Sequence, residues 1–307
     1  MHGYMCPQDS VLSREKIGHD GHGTALSIPE TRFEAVLSNV QILELDVIYP
    51  LWESKAYHGL TELRITGPRK ITAIWTIQQL AHILTASPAL RVFHFGLEVR
   101  LMGVTPKPIR LVDLEVFFLK SLSFDTQQAV LALILPGTKR LQMSTTYNDV
   151  VIKWFPVLSK EEELSRFFNR TNIVYLQLHS LVCAKPQLLL SLLPNLQSLI
   201  FRQATIMEAT EDSLGSSVCP GLVELHLISC TIHLDGFLWL ISGRHMREVT
   251  IWDSHIYDAM TNHPAEHYSD ALIQTCPIVR LLSKQEYSRT IKVEGWSEDM
   301  KDRISES

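Results

Sequence analysis

Apolar residues recur along this chain in one short pattern, with two spacers between the first pair and one between the second. Nine copies lie between residues 40 and 251. They are Val40-Leu43-Leu45, Leu60-Leu63-Ile65, Leu90-Phe93-Phe95, Leu111-Leu114-Val116, Thr138-Leu141-Met143, Ile173-Leu176-Leu178, Leu196-Leu199-Phe201, Leu222-Leu225-Leu227 and Met246-Val249-Ile251. One copy would mean nothing in a chain that is 46% hydrophobic; nine, with only Thr138 not apolar, predict a repeated unit. Residues two apart share one face of a strand, so each triplet predicts a short strand with its apolar pair buried and the residues between facing out. The intervening segments carry helical spacing. Ile74, Ile77, Ala81 and Leu84 share one stripe, as do Val130, Leu131 and Ile134. Asp125 with Gln128, and Ser159 with Glu162, read as capping boxes at helix starts.

Successive middle residues are 20, 30, 21, 27, 35, 23, 26 and 24 positions apart. Strands alternating with helices at that spacing imply a parallel sheet covered by helices. A stacked array grows along one axis and need not split, which overrides the usual prior of about 150 residues per domain. The expected architecture is therefore an α/β solenoid of about nine to ten irregular repeats, with a curved parallel sheet on the concave side and helices on the convex side. Residues 1–30, polar and carrying Gly18, Gly21 and Gly23, are expected to be a disordered leader. The array is expected over 31–296 and a flexible tail over 297–307.

Three copies extend into a longer motif. Leu222-Val-Glu-Leu225-His-Leu227-Ile-Ser-Cys230-Thr-Ile232 fits the leucine-rich pattern L-x-x-L-x-L-x-x-C-x-I without a gap. The copy from Met246 to Ile256 fits with Ser254 in the Cys slot, and the copy from Leu196 to Ile206 fits with Ala204 there. The slot lies where the chain leaves the strand, and a small polar side chain turned inward there satisfies backbone groups that the turn leaves unpaired. Cys230 is accordingly expected to be structural rather than reactive.

The Cys-type motif, the irregular units and the lead-ins Pro194-Asn-Leu196 and Pro220-Gly-Leu222 resemble the F-box-like leucine-rich repeat proteins of basidiomycete fungi. The resemblance covers roughly residues 36–285. It implies a non-enzymatic protein-recognition scaffold, similar to the substrate-binding repeats of an F-box subunit in a cullin-type ubiquitin ligase. The F-box itself is not found, since Ile28-Pro29-Glu30 is only a faint echo of its start. No F-box residue carries over, which implies a truncated form of such a protein or a repeat-only relative. Ligase components are expected as partners only of a longer form carrying the F-box. The alternative is a stand-alone interaction or inhibitor scaffold with no ubiquitin link.

If the strands line the concave face, the residues between and beside the apolar pairs are the candidate protein-binding surface. They are Glu62, Arg64, Glu115, Phe117, Tyr175, Gln177, His179, Arg202, Glu224, His226 and Trp252, with Asp113, Glu248 and Thr250 beside them. Aromatics mixed with Arg and His are the composition of binding hot spots. Trp252, read as outward-facing, is the leading single residue, because an exposed Trp should meet a partner or a packed loop.

Charge and motifs narrow the remaining classes. A net charge of −5 argues against a general nucleic-acid or acidic-membrane binder. The longest apolar runs, Ala129–Leu135 and Leu188–Leu193, fall far short of the roughly 18–20 residues that cross a bilayer. Residues 1–6 show no secretory pattern. Cysteines at 6, 183, 219, 230 and 276 form no C-x-x-C, so an intracellular setting, cytoplasmic or nuclear, is expected. No phosphate-binding loop, nucleophile elbow or dinucleotide fingerprint occurs, and no cofactor or metal is expected. The remote alternative is a zinc hydrolase using His263-Pro-Ala-Glu266-His267, which matches H-x-x-E-H. That chemistry needs both histidines on one helix face, and Pro264 suits only a helix's first turn.

Overall fold

The computed structural model of the chain describes residues 30–46, 49–67, 75–103, 106–147, 163–183, 186–207, 219–241, 244–257, 262–264 and 278–282. Residues 1–29 of the expected leader, the expected tail, and Ile74, Ser159, Glu162, Glu266 and His267 lie outside the described residues. Ten strands form one sheet: β1 (Ile42–Asp46), β2 (Glu62–Thr66), β3 (Val92–Phe95), β4 (Val116–Leu122), β5 (Leu141–Tyr147), β6 (Ile173–His179), β7 (Ser198–Arg202), β8 (Glu224–Ile228), β9 (Glu248–Trp252) and β10 (Val279–Leu282). Their spatial order follows their chain order, and all nine pairings are parallel. Each crossover carries the chain to the adjacent strand. The result is a mixed α/β fold compatible with a solenoid.

Register shows how the sequence builds the core. One continuous row runs Leu43, Leu63, Phe93, Phe117, Met143, Leu176, Leu199, Leu225, Val249 and Val279. From Leu63 to Val249 every member is fully buried. A second inward row lies two residues further on, from Leu45 to Ile251. Among the described residues six α-helices accompany the sheet, α1 (Glu30–Leu37) before β1 and, in the connections, α2 (Ile77–Ala86), α3 (Phe124–Leu133), α4 (Glu163–Asn169), α5 (Pro186–Ser191) and α6 (Leu234–Ile241). Leu80, Leu131, Phe167, Leu190 and Phe237 from α2 to α6 belong to the same buried cluster as the two rows. Each fully buried side chain of this size contributes about 1.5–3 kcal/mol, which is what closes helices onto sheet.

Two triplets need correction. In the fourth repeat the inward residues are Leu114, Phe117 and Leu119, not Leu111, Leu114 and Val116. Leu111 belongs to a separate pairing of Ile109–Leu111 with Ile134–Pro136. Phe117 is fully buried, with its ring stacked on Phe93 at 5.8 Å and tilted against Phe167 at 5.6 Å. In the fifth repeat Met143 takes the middle place, paired with Phe117 on one side and, past a register shift between Ile173 and Tyr175, with Leu176 on the other. Thr145 then points inward and is fully buried, where the Gln127 amide donates to its hydroxyl at 2.6 Å.

The helix starts also differ from expectation. Ser123, not Asp125, caps α3; its hydroxyl accepts from the Thr126 amide, while the Glu98 carboxylate accepts from both hydroxyls at 2.5–2.6 Å. Gln128 serves the next helix instead, accepting from the Glu163 amide at 2.7 Å. A complete capping box of Thr76 and Gln79 opens α2. Ile134, assigned to a helical stripe, is the first residue of a strand.

Strands β6 to β9 each end in the same turn. Ser180, Gln203, Ser229 and Asp253, which directly follow β6 to β9, all have φ between 46° and 57°. This left-handed residue directs the first three amides onto the last carbonyl of the following strand, at 2.8–2.9 Å. The next residue is the inward slot of Leu181, Ala204, Cys230 and Ser254. The Cys230 amide donates to Ser254 Oγ at 2.9 Å, and Cys230 Sγ lies 3.4 Å from the Phe201 carbonyl. Burial pushes the Cys230 thiol up to about 11, so it stays protonated as a turn group. Past the slot a second sheet forms from Val182–Cys183, Thr205–Ile206, Thr231–His233 and His255–Tyr257, closed by antiparallel Asn262–Pro264.

Candidate interaction face

With two rows turned toward the helices, the residues between them define the sheet's other face. Its central row runs Glu44, Arg64, His94, Phe118, Ser144, Gln177, Ile200, His226, Thr250 and Arg280. Of the expected surface, Arg64, Gln177 and His226 fall in this row. Glu62, Tyr175 and Glu224 lie in the row before it, and His179, Arg202 and Trp252 in the row after. Glu115 sits one residue before β4 and Phe117 on the opposite face. The central residue of that repeat is Phe118, whose ring meets the His94 ring edge-on at 5.3 Å.

Trp252 is not the exposed anchor expected. It is 7% exposed and packs with Ile200 and Ile228 of the two preceding strands, against Tyr175. The apolar residues of this face meet one another, which removes the cost of a wet indole. His179 is held locally, its Nδ1 2.8 Å from the Ser180 hydroxyl. The half-buried Arg202 makes no ion pair among the described residues.

Beside the central row, where the chain enters the strands, a groove of about 690 Å³ runs from β4 to β9. It is lined by Glu115, Val116, Lys139, Arg140, Gln142, Val174, Tyr175, Gln197, Ser198, Val223, Glu224 and Arg247. Sequence reasoning found Glu115, Tyr175 and Glu224 and missed the basic lip. Lys139, Arg140 and Arg247 precede their strands by one or two residues, and extending the outward count backwards past each strand would have included them.

Charges on the lip are mostly matched. Glu115 accepts from Arg91 at 2.8 Å and Lys139 at 3.0 Å, and these two bonds hold its carboxyl below the usual range. Lys139 also reaches Asp113 at 3.0 Å, and Arg247 pairs with Glu224. Such exposed pairs are worth little individually; their effect is to occupy the acidic groups. Arg140 is exposed and has no ion pair among the described residues.

Deeper in the face the polar groups are unmatched. Ser144 Oγ, Gln177 Oε1, Ser198 Oγ and His226 Nδ1 are buried and have no hydrogen-bond partner among the described residues. They come from four consecutive strands, β5 to β8. Burial pushes the His226 imidazole below its usual value, against the opposing influence of Glu224 and Glu248 and with a small contribution from Arg280 in the same direction. A neutral imidazole presents one donor and one acceptor.

His263 lies in an extended segment paired antiparallel with Ile256, not on a helix, so the geometry that H-x-x-E-H requires is not formed at its first residue. Among the described residues no group of three His, Cys, Asp or Glu is placed to hold a metal ion, and no helix is long and apolar enough to cross a membrane. No protein-family model, curated protein or solved structure matches the chain.

Proposed function

We propose that the chain is a leucine-rich repeat protein that recognises another protein on the concave face of its sheet and performs no chemistry of its own. The observation that carries this reading is the set of four buried, unpartnered polar groups on β5 to β8 beside an open groove. A buried polar atom without a partner costs about 1–3 kcal/mol, a cost recovered if a ligand supplies the missing partner. The Cys230–Ser254 turn bonds and the chain-ordered parallel sheet support the repeat class. The resemblance of the repeat motif to F-box-like repeat proteins supports a ubiquitin-ligase substrate as the ligand, with ligase subunits contacted only by a form that carries an F-box.

The test is affinity purification from cells producing the full chain, comparing wild type with Gln177→Arg, which drives a charge into the centre of the face. Defined proteins retained by wild type and lost from a folded Gln177→Arg variant are the expected result. Identical sets on both baits would overturn the reading. A retained partner that is neither ubiquitinated nor stabilised when the chain is removed would replace the ligase branch with the stand-alone scaffold.

A further inference from the structure

The groove's chemistry specifies its ligand more narrowly than the fold does. We propose that the groove along the entrance of β5 to β9 takes an extended peptide segment bearing a carboxylate, which Arg140 binds while Ser198 bonds the peptide backbone. This inference rests on the protein-recognition reading above and adds the partner's chemistry to it.

Three observations converge. Glu115 and Glu224, the acids lining the groove, are already engaged by Arg91, Lys139 and Arg247, whereas Arg140 has no ion pair among the described residues. The lining therefore offers a cation in search of an anion and has no free acid to attract a basic ligand. Ser198, 6% exposed, lines the groove with an unpartnered hydroxyl, which both donates and accepts. A peptide backbone supplies N–H donors and C=O acceptors alternately, while a polyphosphate supplies mainly acceptors and is opposed by the chain's net charge of −5, so the groove favours a peptide over a nucleic acid. Dimensions agree as well. Arg140 and Arg247 enter strands four places apart, roughly 19 Å at the usual strand spacing of about 4.8 Å, and about six extended residues cover that distance.

A phage-displayed random heptapeptide library panned on the full chain provides the probe, and the enriched peptides are titrated by fluorescence anisotropy. Enrichment of sequences with Asp or Glu is expected. Arg140→Glu should weaken them about tenfold through like-charge repulsion, and Arg140→Lys should retain most binding. A peptide with Lys in place of its acid should recover affinity for Arg140→Glu. Ser198→Ala should weaken all selected peptides about threefold to tenfold. Arg110→Glu, an exposed reversal in the separate Ile109–Leu111 pairing, should change nothing. Thermal melts verify that each variant is folded.

Peptides without an acidic bias, or bound equally by Arg140→Glu, would overturn the inference. If those same peptides were lost from Gln177→Arg, the broader protein-recognition reading would survive. Failure to select any peptide would also overturn the inference. Binding of an oligothymidine that competes with the peptides at equal affinity would show a general polyanion surface and overturn the commitment to a peptide.

Discussion

Ser254→Ala removes the oxygen on which one turn of the repeat depends, and the structure sets the size of the effect. Ser254 is 6% exposed; its hydroxyl accepts from the Cys230 amide at 2.9 Å and lies 2.9 Å from the Trp252 carbonyl. The Trp252 carbonyl also accepts from the Ser229 amide at 2.8 Å, so it keeps a partner when the hydroxyl is lost. The Cys230 amide loses the acceptor that Ser254 provides, beneath a residue that is 1% exposed. Leaving one buried N–H unsatisfied costs about 1–3 kcal/mol, and a value near 2 kcal/mol is expected. Repeat arrays do not always unfold as one unit, so the informative assay is local. Amide hydrogen exchange of a peptide covering residues 228–232 should lose about thirtyfold protection at 2 kcal/mol, with a lower urea midpoint alongside. Unchanged protection at Cys230 together with an unchanged midpoint would refute the turn logic. The converse substitution, Ala204→Ser, puts an acceptor where the slot has none and should stabilise by about 0.5–1 kcal/mol, with its effect on exchange confined to the adjacent turn.

Other consequences follow from the same geometry. Leu225→Ala empties a fully buried place between Leu199 and Val249 and should cost about 2–5 kcal/mol in denaturant unfolding; an unchanged midpoint would contradict the register. A Cβ on Gly236 would lie 2.1 Å from the Met207 carbonyl oxygen, whereas one on Gly221 would lie 3.4 Å from that of Leu196. Gly236→Ala should therefore destabilise clearly more than Gly221→Ala, by about 1–3 kcal/mol of overpacking, and equal thermal melts would exclude the close approach. His226 is kept neutral by burial, so its contribution to stability is complete above its ordinary value of 6.5 and is lost as pH falls through the window below it. Between about pH 7.5 and pH 5.5 the wild type should lose more stability than His226→Asn, and parallel losses would show that the imidazole does not sense the fold.

Legibility in the sequence depended on whether local pattern alone fixed a residue's direction. Seven of the nine triplets coincide with the observed inward rows because an apolar–x–apolar strand has one sensible orientation. The pattern lost phase at Val116-Phe117-Phe118-Leu119, a run apolar on both faces, where only the packing of Phe117 against Phe93 and Phe167 decides which ring turns in. It slipped again at Met143, whose place is set by pairing with Phe117 and, past a register shift, with Leu176, which no reading of the β5 residues can detect. β10 falls beyond the last counted triplet; Val279 pairs with Val249 and extends the inward row by a strand.

The site was legible on the same terms. Arg64, Gln177 and His226 each sit between two inward residues, and strand alternation alone turns them outward. Trp252 also leaves the core side, but its exposure depends on Ile228 and Ile200 lying beside it, and lateral neighbours are set by register rather than by its own repeat. Register also separates the ends of this face from its middle. Toward β2, Arg91 pairs with Glu115, and Arg64 pairs with Glu62 through a terminal nitrogen while its buried Nε stays unmatched. At β9 and β10, Glu248 takes both the Thr250 hydroxyl and the Arg280 guanidinium. Between them, β5 to β8 leave a serine, a glutamine, a second serine and a histidine with buried atoms unmatched. A sheet selected only for stability would match or remove such groups, since each one left bare opposes folding. Four of them lie on consecutive strands next to the groove and to Arg140, and in the proposed reading the middle of the array is where a partner's own polar groups complete the structure.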